Sequence, residues 1–437
     1  MKHLQVLFLL LLISMSSITN HCQLEAQIDS LAESVESEVI ELRHWFHQNA
    51  ELSNREFKTA ARIAEELRLI GLEPMTGIAH TGVVAVLVGG KPGPVVALRA
   101  DIDGLPVSER CGVAWASKMM GVYNGANVPV MHACGHDTHI GILLGVAKIM
   151  MQMKDEIPGT IKFIFQPAEE GAPDGEEGGA ELMVKEGVLK NPDVDAIFGL
   201  HIGSQTPVGY IYVRPKAIMA SADAFRIDIT GVQTHGSTPW TGADPIVCAA
   251  QMINSIQTIV SRNMPLTTAP CVISIGSIHG GVRSNIIPEK LYMLGTLRCL
   301  DHDMRDLAIT RLKEVVKTIA IANRTEATLE FGTSYPITYN DPDLYSTMFP
   351  TLERVTGKDN IIIGPPITGA EDFSFFQEQV PGLYFFLGGA DPSKPLSESA
   401  PHHTPDFFVD DSGMLLGIKA MSNLTIDYMN STNDKTE

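Results

Sequence analysis

The sequence predicts an α/β fold in which a domain with a mixed, mostly parallel sheet is interrupted by an inserted ferredoxin-like βαββαβ domain. Apolar strand-like segments alternate with helical segments in the first half of the chain and again near its end, a pattern typical of parallel sheets. From about residue 216 the pattern changes to the order of a split βαβ unit. The 437 residues also exceed what one ordinary hydrophobic core holds.

In the first part, apolar residues at helical spacing predict helices over residues 28–49, 58–70 and 140–153. Continuous or alternating apolar runs predict strands over residues 83–88, 95–100, 159–165 and 195–200. Acidic residues or a histidine follow the last three of these strands. Because ligands of parallel sheets bind beyond the carboxyl ends of the strands, these polar side chains are expected to converge at one edge.

In the inserted part, Phe225, Ile227 and Ile229 alternate with polar residues and predict a half-exposed strand. A helix over 245–260, strands over 272–275 and 291–297, a helix over 304–319 and a strand over 328–331 follow. The chain then returns to helix and strand alternation, with a helix opened by Glu371-Asp372, a strand over 383–387 and a helix from about residue 411. The predicted division is a signal peptide (1–26), a catalytic domain in two parts (27–215 and 332–437) and a lid and dimerisation domain (216–331).

The N-terminus has the pattern of a secretory signal peptide. Met1-Lys2-His3 carries positive charge, and residues 4–13 are almost entirely apolar, too short a run to span a bilayer. We therefore expect an exported protein, periplasmic or secreted, without a membrane span. Thr19-Asn20-His21 is a poor lipobox, which argues against lipid anchoring at Cys22.

Charge and cysteine usage narrow the class of protein further. The formal net charge of −19 argues against a nucleic-acid partner, since phosphates require stripes of Lys and Arg. The six cysteines lack the spacing of a disulfide framework, and Cys134 lies within a cluster of histidines. The simplest interpretation of Cys111, Cys248, Cys271 and Cys299 is that of small buried apolar residues.

The residues that indicate chemistry lie at the predicted sheet edge. Residues 132–139 read His-Ala-Cys-Gly-His-Asp-Thr-His, and the pair Glu169-Glu170 follows a buried strand. A thiolate binds only when deprotonated, a form that a dication stabilises. Cys-x-His alone is weak, but His201 and His402-His403 also lie near strand or loop ends. Together they predict a metallohydrolase in which one of the two glutamates binds metal and the other activates water.

The sequence resembles the metal-dependent aminoacylase/carboxypeptidase superfamily, in the amidohydrolase branch with hippurate hydrolases, N-acyl-L-amino acid amidohydrolases and indole-acetyl-amino-acid hydrolases. The resemblance covers residues 42–429. The motifs that carry it are Phe46-His-Gln-Asn-Ala-Glu-Leu52, Arg99-Ala-Asp-Ile-Asp-Gly-Leu-Pro106, His132-Ala-Cys-Gly-His-Asp137, Phe165-Gln-Pro-Ala-Glu-Glu170, Gly199-Leu-His201, Asn285-Ile-Ile-Pro288, Gly369-Ala-Glu-Asp-Phe373 and His403-Thr-Pro-Asp-Phe407.

This resemblance implies the roles of the site residues. The implied ligands of two divalent metal ions are Cys134, His136, Glu170, His201 and His403. Glu169 is the implied general base, with Asp101 in support, and His235 and Asn285 are implied to reach the substrate carbonyl. In relatives the equivalent of His235 comes from the partner subunit, so a homodimer is expected. The segment 171–179 is longer and more acidic than the family's short glycine turn, which leaves the substrate open.

The resulting hypothesis is a metal-dependent amidohydrolase that cleaves the amide bond of small N-acyl-amino acids through a metal-bridging water and the Glu169 general base. Thiolate and imidazole ligands favour Zn²⁺. The resemblance adds Mn²⁺, and Co²⁺ and Ni²⁺ stay open. One alternative is an exopeptidase, a carboxypeptidase or dipeptidase acting on short peptides. Another is a non-catalytic metal-dependent binding protein, against which the retention of Glu169 argues.

Overall fold

The structure is a computed structural model that describes residues 2–433, with side chains from residue 23 to residue 432. The predicted signal peptide and the question of lipidation at Cys22 lie largely outside the described side chains, so export stays a prediction. Within the described residues, no helix has both the length and the apolar character needed to cross a membrane.

The helices are α1 (Lys2–Gln48), α2 (Phe57–Ile70), α3 (His136–Gln152), α4 (Gly179–Lys185), α5 (Pro245–Asn263), α6 (His302–Ala322), α7 (Pro342–Thr356), α8 (Ser374–Gln377) and α9 (Met414–Asn433). The strands are β1 (Met75–Ile78), β2 (Gly82–Val88), β3 (Lys91–Asp101), β4 (Met119–Tyr123), β5 (Ala126–Val130), β6 (Pro158–Gln166), β7 (Ala196–Pro207), β8 (Ile211–Tyr212), β9 (Lys216–Met219), β10 (Ala222–Thr230), β11 (Thr234–His235), β12 (Cys271–Gly280), β13 (Ile286–Ile287), β14 (Lys290–Cys299), β15 (Glu326–Tyr335), β16 (Thr338–Asn340), β17 (Ile361–Ile362) and β18 (Gly382–Ala390).

The chain divides into two compact units. The first is formed by the residues up to Val213, by Asp341–Gly364 and by the residues from Phe376 onward. The second is formed by Arg214–Asn340 and Pro365–Phe375.

The first unit contains an eight-stranded mixed sheet in the order β1-β2-β6-β3-β7-β18-β8-β17. Its centre, β6-β3-β7-β18, is parallel, whereas β2 pairs with β6 in the antiparallel sense. Val96, Ala97 and Leu98 in β3 are successive and fully buried, so both faces of this strand are covered, as is normal in parallel sheets. Helices α1, α3 and α9 pack together, and α3 and α9 also contact β3. The predicted fold class is confirmed.

Some predicted elements outside the inserted ferredoxin-like sheet need correction. Strand β7 continues beyond the predicted end at residue 200 because its pairing with β18 extends to Pro207, so His201 lies within the strand. The helix expected after Glu371-Asp372 is reduced to the four residues of α8. Helix α7 was not predicted, although Asp341 caps it by accepting hydrogen bonds from the N–H groups of Asp343 and Leu344 and Pro342 opens it.

The second unit contains the predicted ferredoxin-like arrangement. Its antiparallel sheet has the order β12-β14-β10-β15, and α5 and α6 pack against one another and against the sheet. Phe225, Ile227 and Ile229 are buried, as their alternation predicts. The unit also includes residues 332–340 and 365–375, beyond the predicted interval of 216–331. The physical reason is that β16 pairs with β9, and Ala220 donates backbone hydrogen bonds to Ile367 and Gly369.

A buried charged cluster holds α1 against the N-terminus of α3 in the first unit. Arg43 Nε donates to Asp137 Oδ2 over 2.9 Å, and His47 Nδ1 lies 3.0 Å from the same oxygen. His47 Nε2 is 3.2 Å from Glu109 Oε2. Burial lowers the pKa of His47, but the charge and hydrogen bond of Asp137 outweigh it and raise the pKa to about 9. His47 is therefore a structural cation.

Because the contact between His47 and Asp137 requires a protonated histidine, we expect the protein to be less stable at alkaline pH. The raised pKa of His47 means that its stabilisation is complete below its ordinary pKa of about 6.5 and disappears as the pH rises through about 9. The free energy of unfolding should fall by on the order of 3 kcal/mol over this range through His47 alone. Urea unfolding at several pH values should show a shallower fall for His47→Gln than for the wild type. The exposed His279→Gln serves as control, and identical pH slopes for His47→Gln and wild type would contradict the assignment.

Candidate metal centre

The predicted site residues of the first unit come together at the carboxyl end of its parallel strands. Asp101 is the last residue of β3, and Glu169 and Glu170 lie in the loop that follows β6. His136 is the first residue of α3, and His201 lies in β7. This edge is where α/β sheets bind ligands, since loops and helix N-termini meet there.

The approach of Cys134 and His136 depends on the glycine between them. Gly135 has a φ of +91°, a left-handed conformation that glycine adopts without strain. A Cβ atom at this position would lie 2.3 Å from Ile202 Cγ2 of β7. The Cys-Gly-His spacing therefore lets the chain enter α3 directly against β7 and brings the thiol and imidazole to the same place.

A buried carboxylate shapes the loop that carries Glu169 and Glu170. Ala168 has a positive φ of +52°, and its N–H donates to Glu56 Oε1 over 2.9 Å. Burial and the negative charge of Asp103 raise the pKa of Glu56 to about 8. The N–H of Glu170 donates to Asp103 Oδ2 over 3.1 Å. Glu56 and Asp103 thus hold the turn that directs the two glutamates toward the site.

The hydrogen bonds of His136 and His201 leave one ring nitrogen of each for a ligand. His136 Nδ1 lies 2.9 Å from the carbonyl oxygen of Asp103, and His201 Nδ1 lies 2.7 Å from that of Ile202. A carbonyl only accepts, so Nδ1 carries a proton in both rings, and Nε2 is the nitrogen left to bind a metal in place of a proton. Among the described residues, His136 Nε2 is buried without a hydrogen-bond partner. This is the arrangement that metal-binding histidines show.

Cys134 lies at the centre of the cluster. Its Sγ is 3.3 Å from His201 Nε2 and 3.3 Å from His403 Nε2. His403 Nε2 is also 3.0 Å from Glu170 Oε1. The ligand atoms of Cys134, His136 and His201 lie within 4.8 Å of one another, and so do those of Cys134, Glu170 and His403. The five predicted ligands therefore form two groups that share the thiol.

The neighbouring His402 has a different environment from His403. Its Nε2 accepts a hydrogen bond of 3.3 Å from the N–H of Ser204, which places the ring proton on Nδ1. Nδ1 in turn lies 3.6 Å from Cys134 Sγ and is positioned to donate to it. Sequence comparison with the family motif selected His403 and gave His402 no role. The hydrogen bonds make His402 a donor to the sulfur.

The charge of the site fits divalent cations. Burial, together with the negative charges of Glu170 and Glu169, raises the pKa of the Cys134 thiol well above its usual value. Burial lowers the pKa of His136, but Asp101 and Asp103 outweigh it and raise it to about 10. The site therefore attracts positive charge, and a dication in place of these protons would stabilise the thiolate. The donor atoms and the unpartnered His136 nitrogen both fit a metal.

Asp101 is fully buried and lies beside His136 and His139. His139 Nδ1 lies 2.5 Å from Asp101 Oδ1, while His139 Nε2 accepts from the N–H of Ile202 over 2.8 Å. Arg99 donates to Asp101 Oδ2 over 2.7 Å, and His136 Nε2 is 3.7 Å from the same oxygen. Burial raises the pKa of Asp101, yet its interactions with His136, His139 and Arg99 hold it well below its usual value. Both nitrogens of His139 are used, so His139 is not positioned as a ligand.

Glu169 lies next to the ligand groups. It is buried, with 6% of its surface exposed, and its Oε2 is 3.9 Å from His136 Nε2. Its ligand atom also falls within 4.8 Å of those of His136 and Glu170. Glu170 therefore faces His403, whereas Glu169 faces His136. This arrangement suits a metal ligand and a general base, respectively.

His235 and Asn285 lie in the second unit, where the structure brings them together. His235 pairs with Ile286 between β11 and β13, and the N–H of Gly236 donates to the carbonyl of Asn285 over 2.9 Å. Both residues are exposed. His235 Nδ1 accepts from the N–H of Ser237 over 3.0 Å, so Nε2 carries the proton. The predicted role of this pair at a substrate carbonyl, and the predicted dimer, stay predictions.

Sequence reasoning missed Glu56, and it named His402 within a histidine pair without finding its role. Glu56 follows the recognised motif that ends at Leu52, and only its distance in space to Ala168 reveals its role. His402 had a sequence signal, because a second histidine next to an expected ligand is chemically informative. Its ring orientation, however, depends on Ser204, far away in the chain.

A mixed α/β sheet that carries such a cluster beside a buried glutamate defines the class of metal-dependent hydrolases. The model of Peptidase family M20/M25/M40 matches residues 97–427 of the chain. Thermostable carboxypeptidase 2 of Saccharolobus solfataricus is 40% identical over 398 residues, 91% of this chain and 96% of that protein. IAA-amino acid hydrolase ILR1-like 2 of Arabidopsis thaliana is 34% identical over 96% of this chain and 93% of its own length.

A solved structure shows the same likeness. The Bacillus subtilis YXEP protein, described as a dinuclear metal binding peptidase from the M20 family, aligns with a TM-score of 0.75 and 30% identity. The alignment covers 91% of this chain and 99% of that one. The chain belongs to Peptidase family M20/M25/M40, and it is a hydrolase that acts on carbon–nitrogen bonds. The predicted family is confirmed.

Proposed function

We propose that this hydrolase cleaves the amide bond of small N-acyl-amino acids with the aid of two divalent metal ions. The observation that carries the proposal is the pair of ligand groups that share Cys134, with Glu169 beside them. The relative named as a hydrolase of IAA-amino acids supports an acylated amino acid as the substrate class. The solved relative described as a dinuclear metal binding peptidase supports two ions.

Five side chains would hold the ions: Cys134, His136, Glu170, His201 and His403. When bound, such ions polarise a carbonyl oxygen and lower the pKa of bound water, which is the chemistry an amide hydrolase requires. A thiolate with imidazoles favours Zn²⁺, because both are the nitrogen and sulfur ligands that zinc prefers. Mn²⁺ is the second candidate, since a carboxylate is also present, and Co²⁺ or Ni²⁺ would fit the same donors.

The protein's own side chains would transfer the proton, orient the ligands and stabilise the thiolate. Glu169 is the general base: its buried carboxylate takes a proton from the attacking water and returns it to the leaving amine. Asp103, whose carbonyl and carboxylate oxygens lie 2.9 and 3.2 Å from His136 Nδ1, keeps that imidazole oriented. Asp101, fixed by Arg99 and His139, supplies negative charge beside His136 Nε2. His402 donates toward the Cys134 sulfur and stabilises its deprotonated form. In the second unit, His235 with a proton on Nε2 has the form that can donate to a carbonyl oxygen.

A second candidate function is exopeptidase activity on short peptides. The relative named as a thermostable carboxypeptidase favours it, at 40% identity over nearly the whole chain. Hydrolysis of a terminal peptide bond uses the same ions and the same general base. The two activities differ only in the groups that contact the substrate on either side of the amide.

A substrate panel on protein reconstituted with Zn²⁺ or with Mn²⁺ tests the proposal. We expect N-acetyl- and N-benzoyl-amino acids to be hydrolysed with a kcat/KM at least about tenfold above that of dipeptides, a difference of roughly 1.4 kcal/mol in transition-state stabilisation. A preference for dipeptides would establish the exopeptidase instead. If metal-loaded protein hydrolyses neither class, the proposed function is wrong. The inactive-base variant Glu169→Gln, assayed in parallel, reports hydrolysis by contaminants.

A further inference from the structure

Two cysteines lie opposite one another in the sheet of the second unit. Cys271 is the first residue of β12 and Cys299 is the last residue of β14, and the two are direct partners in the antiparallel register. Their sulfur atoms are 3.4 Å apart, the distance of an S–H···S contact. Both side chains belong to the same buried cluster, so they project from the same face of the sheet.

The backbone hydrogen bonds show which kind of pair this is. The N–H of Cys299 donates to Ser221 Oγ over 3.1 Å, and its carbonyl accepts from the N–H of Ser221 over 2.8 Å. Since both polar groups of Cys299 point toward Ser221, they point away from β12. Cys271 and Cys299 therefore form a non-hydrogen-bonded pair. In such pairs the Cα atoms are about 4.5 Å apart, within the 4.4–6.8 Å that disulfides span.

The surroundings leave the pair shielded but reachable. Cys271 is 6% exposed and Cys299 is fully buried. The segment before Cys271, residues 265–270, consists of residues that are exposed or partly exposed. Strand β12 is an edge strand of this sheet, so its start can open without disturbing the strands on the other side. A small reagent can therefore reach the Cys271 sulfur when the strand end opens locally.

We propose that Cys271 and Cys299 are a site of disulfide formation that clamps the start of β12 to the end of β14. The oxidant is a disulfide, either a small molecule or a protein that exchanges thiols. The Cys271 thiolate attacks one sulfur of that disulfide and releases a thiol. The Cys299 thiolate then attacks the mixed disulfide and releases the second thiol. Two cysteine thiols are oxidised, one external disulfide is reduced to two thiols, and the two protons remain with the released thiols.

This inference does not rest on the proposed function, because neither cysteine lies in the first unit. It also differs from a disulfide framework, which the cysteine spacing argues against, since it concerns one bond between neighbouring strands. Cys248 provides the internal comparison: it is buried in the same unit but accepts a hydrogen bond from Thr325 Oγ1 over 3.2 Å. It is as buried as the pair, but it lies in helix α5 and therefore has no cross-strand partner.

The test is oxidation of the full-length, metal-loaded protein with oxidised glutathione, in a urea concentration low enough to keep the fold but high enough to promote local opening. Remaining thiols are then alkylated in strong denaturant and peptides are mapped by mass spectrometry. We expect a loss of two thiols per chain and a linked peptide pair containing Cys271 and Cys299. The oxidised protein should unfold at a higher temperature than the same protein reduced with a phosphine.

Matched variants test whether the thiol loss and the higher unfolding temperature depend on the pairing of Cys271 with Cys299. Cys271→Ser and Cys299→Ser should each abolish both the thiol loss and the shift in unfolding temperature, whereas Cys248→Ser should keep both. Recovery of Cys271 and Cys299 fully alkylated from oxidised wild type would overturn the proposal, as would a link from either one to another cysteine. The wild-type peptide map tests the proposal by itself, so the test remains valid if one of the variants fails to fold.

Discussion

Glu169→Gln is expected to bind metal as the wild type does and to lose about 10²- to 10⁴-fold in kcat, the usual contribution of a general base. Gln is nearly the same size as Glu, so it fits the buried position beside His136. Its amide, however, cannot accept a proton from water or return one to the leaving amine. Steady-state kinetics on the best substrate of the panel, together with the metal content of both proteins, measure the two expectations separately.

The matched control is Glu177→Gln, an exposed glutamate in the acidic segment that follows the site and pairs with Lys185. It should keep both kcat and metal content. A Glu169→Gln enzyme that keeps more than about a tenth of wild-type kcat would rule out a general-base contribution of this size. Loss of metal together with activity would instead place Glu169 among the ligands.

Cys134→Ser is expected to weaken metal binding by more than about 100-fold, the upper end of what loss of a supporting partner alone costs. The reason is that Cys134 belongs to both ligand groups and that a Ser hydroxyl is rarely deprotonated where a thiol is. The sulfur also lies close to His201 and His403, so its removal leaves a gap in both groups. Competition with a chelator of known affinity gives the dissociation constant for each metal.

The control here is Cys111→Ser in the same unit. Its thiol donates to the carbonyl of Phe407 over 2.7 Å, a bond that a hydroxyl can also make, and burial raises its pKa to about 11. This variant should bind metal as the wild type does. Equal metal content after dialysis of wild type and Cys134→Ser would remove Cys134 from the site. Circular dichroism of each variant separates a lost ligand from a lost fold.

Much of the site could be predicted because its residues are close in sequence to recognisable strands. Glu169 and Glu170 follow a mainly apolar run that predicts a buried strand, and Asp101 ends another strand. Strand order was not needed, since every parallel strand delivers its carboxyl end to the same edge. The ferredoxin-like unit was predictable for a similar reason: alternation along β10 and the helical spacing of α5 are local properties of the chain.

By itself the sequence determined the fold class and the family, because periodicity and motifs lie in neighbouring residues, and the family resemblance predicted five metal ligands. Only the tertiary structure decided the roles of residues whose partners are distant. It placed His201 inside β7 through pairing with β18, and it fixed the proton of His402 through Ser204. It also set Cys271 opposite Cys299 by the register of two strands. Ring tautomers and strand registers depend on contacts with backbone groups that are distant in the chain, and a local sequence pattern does not specify those contacts.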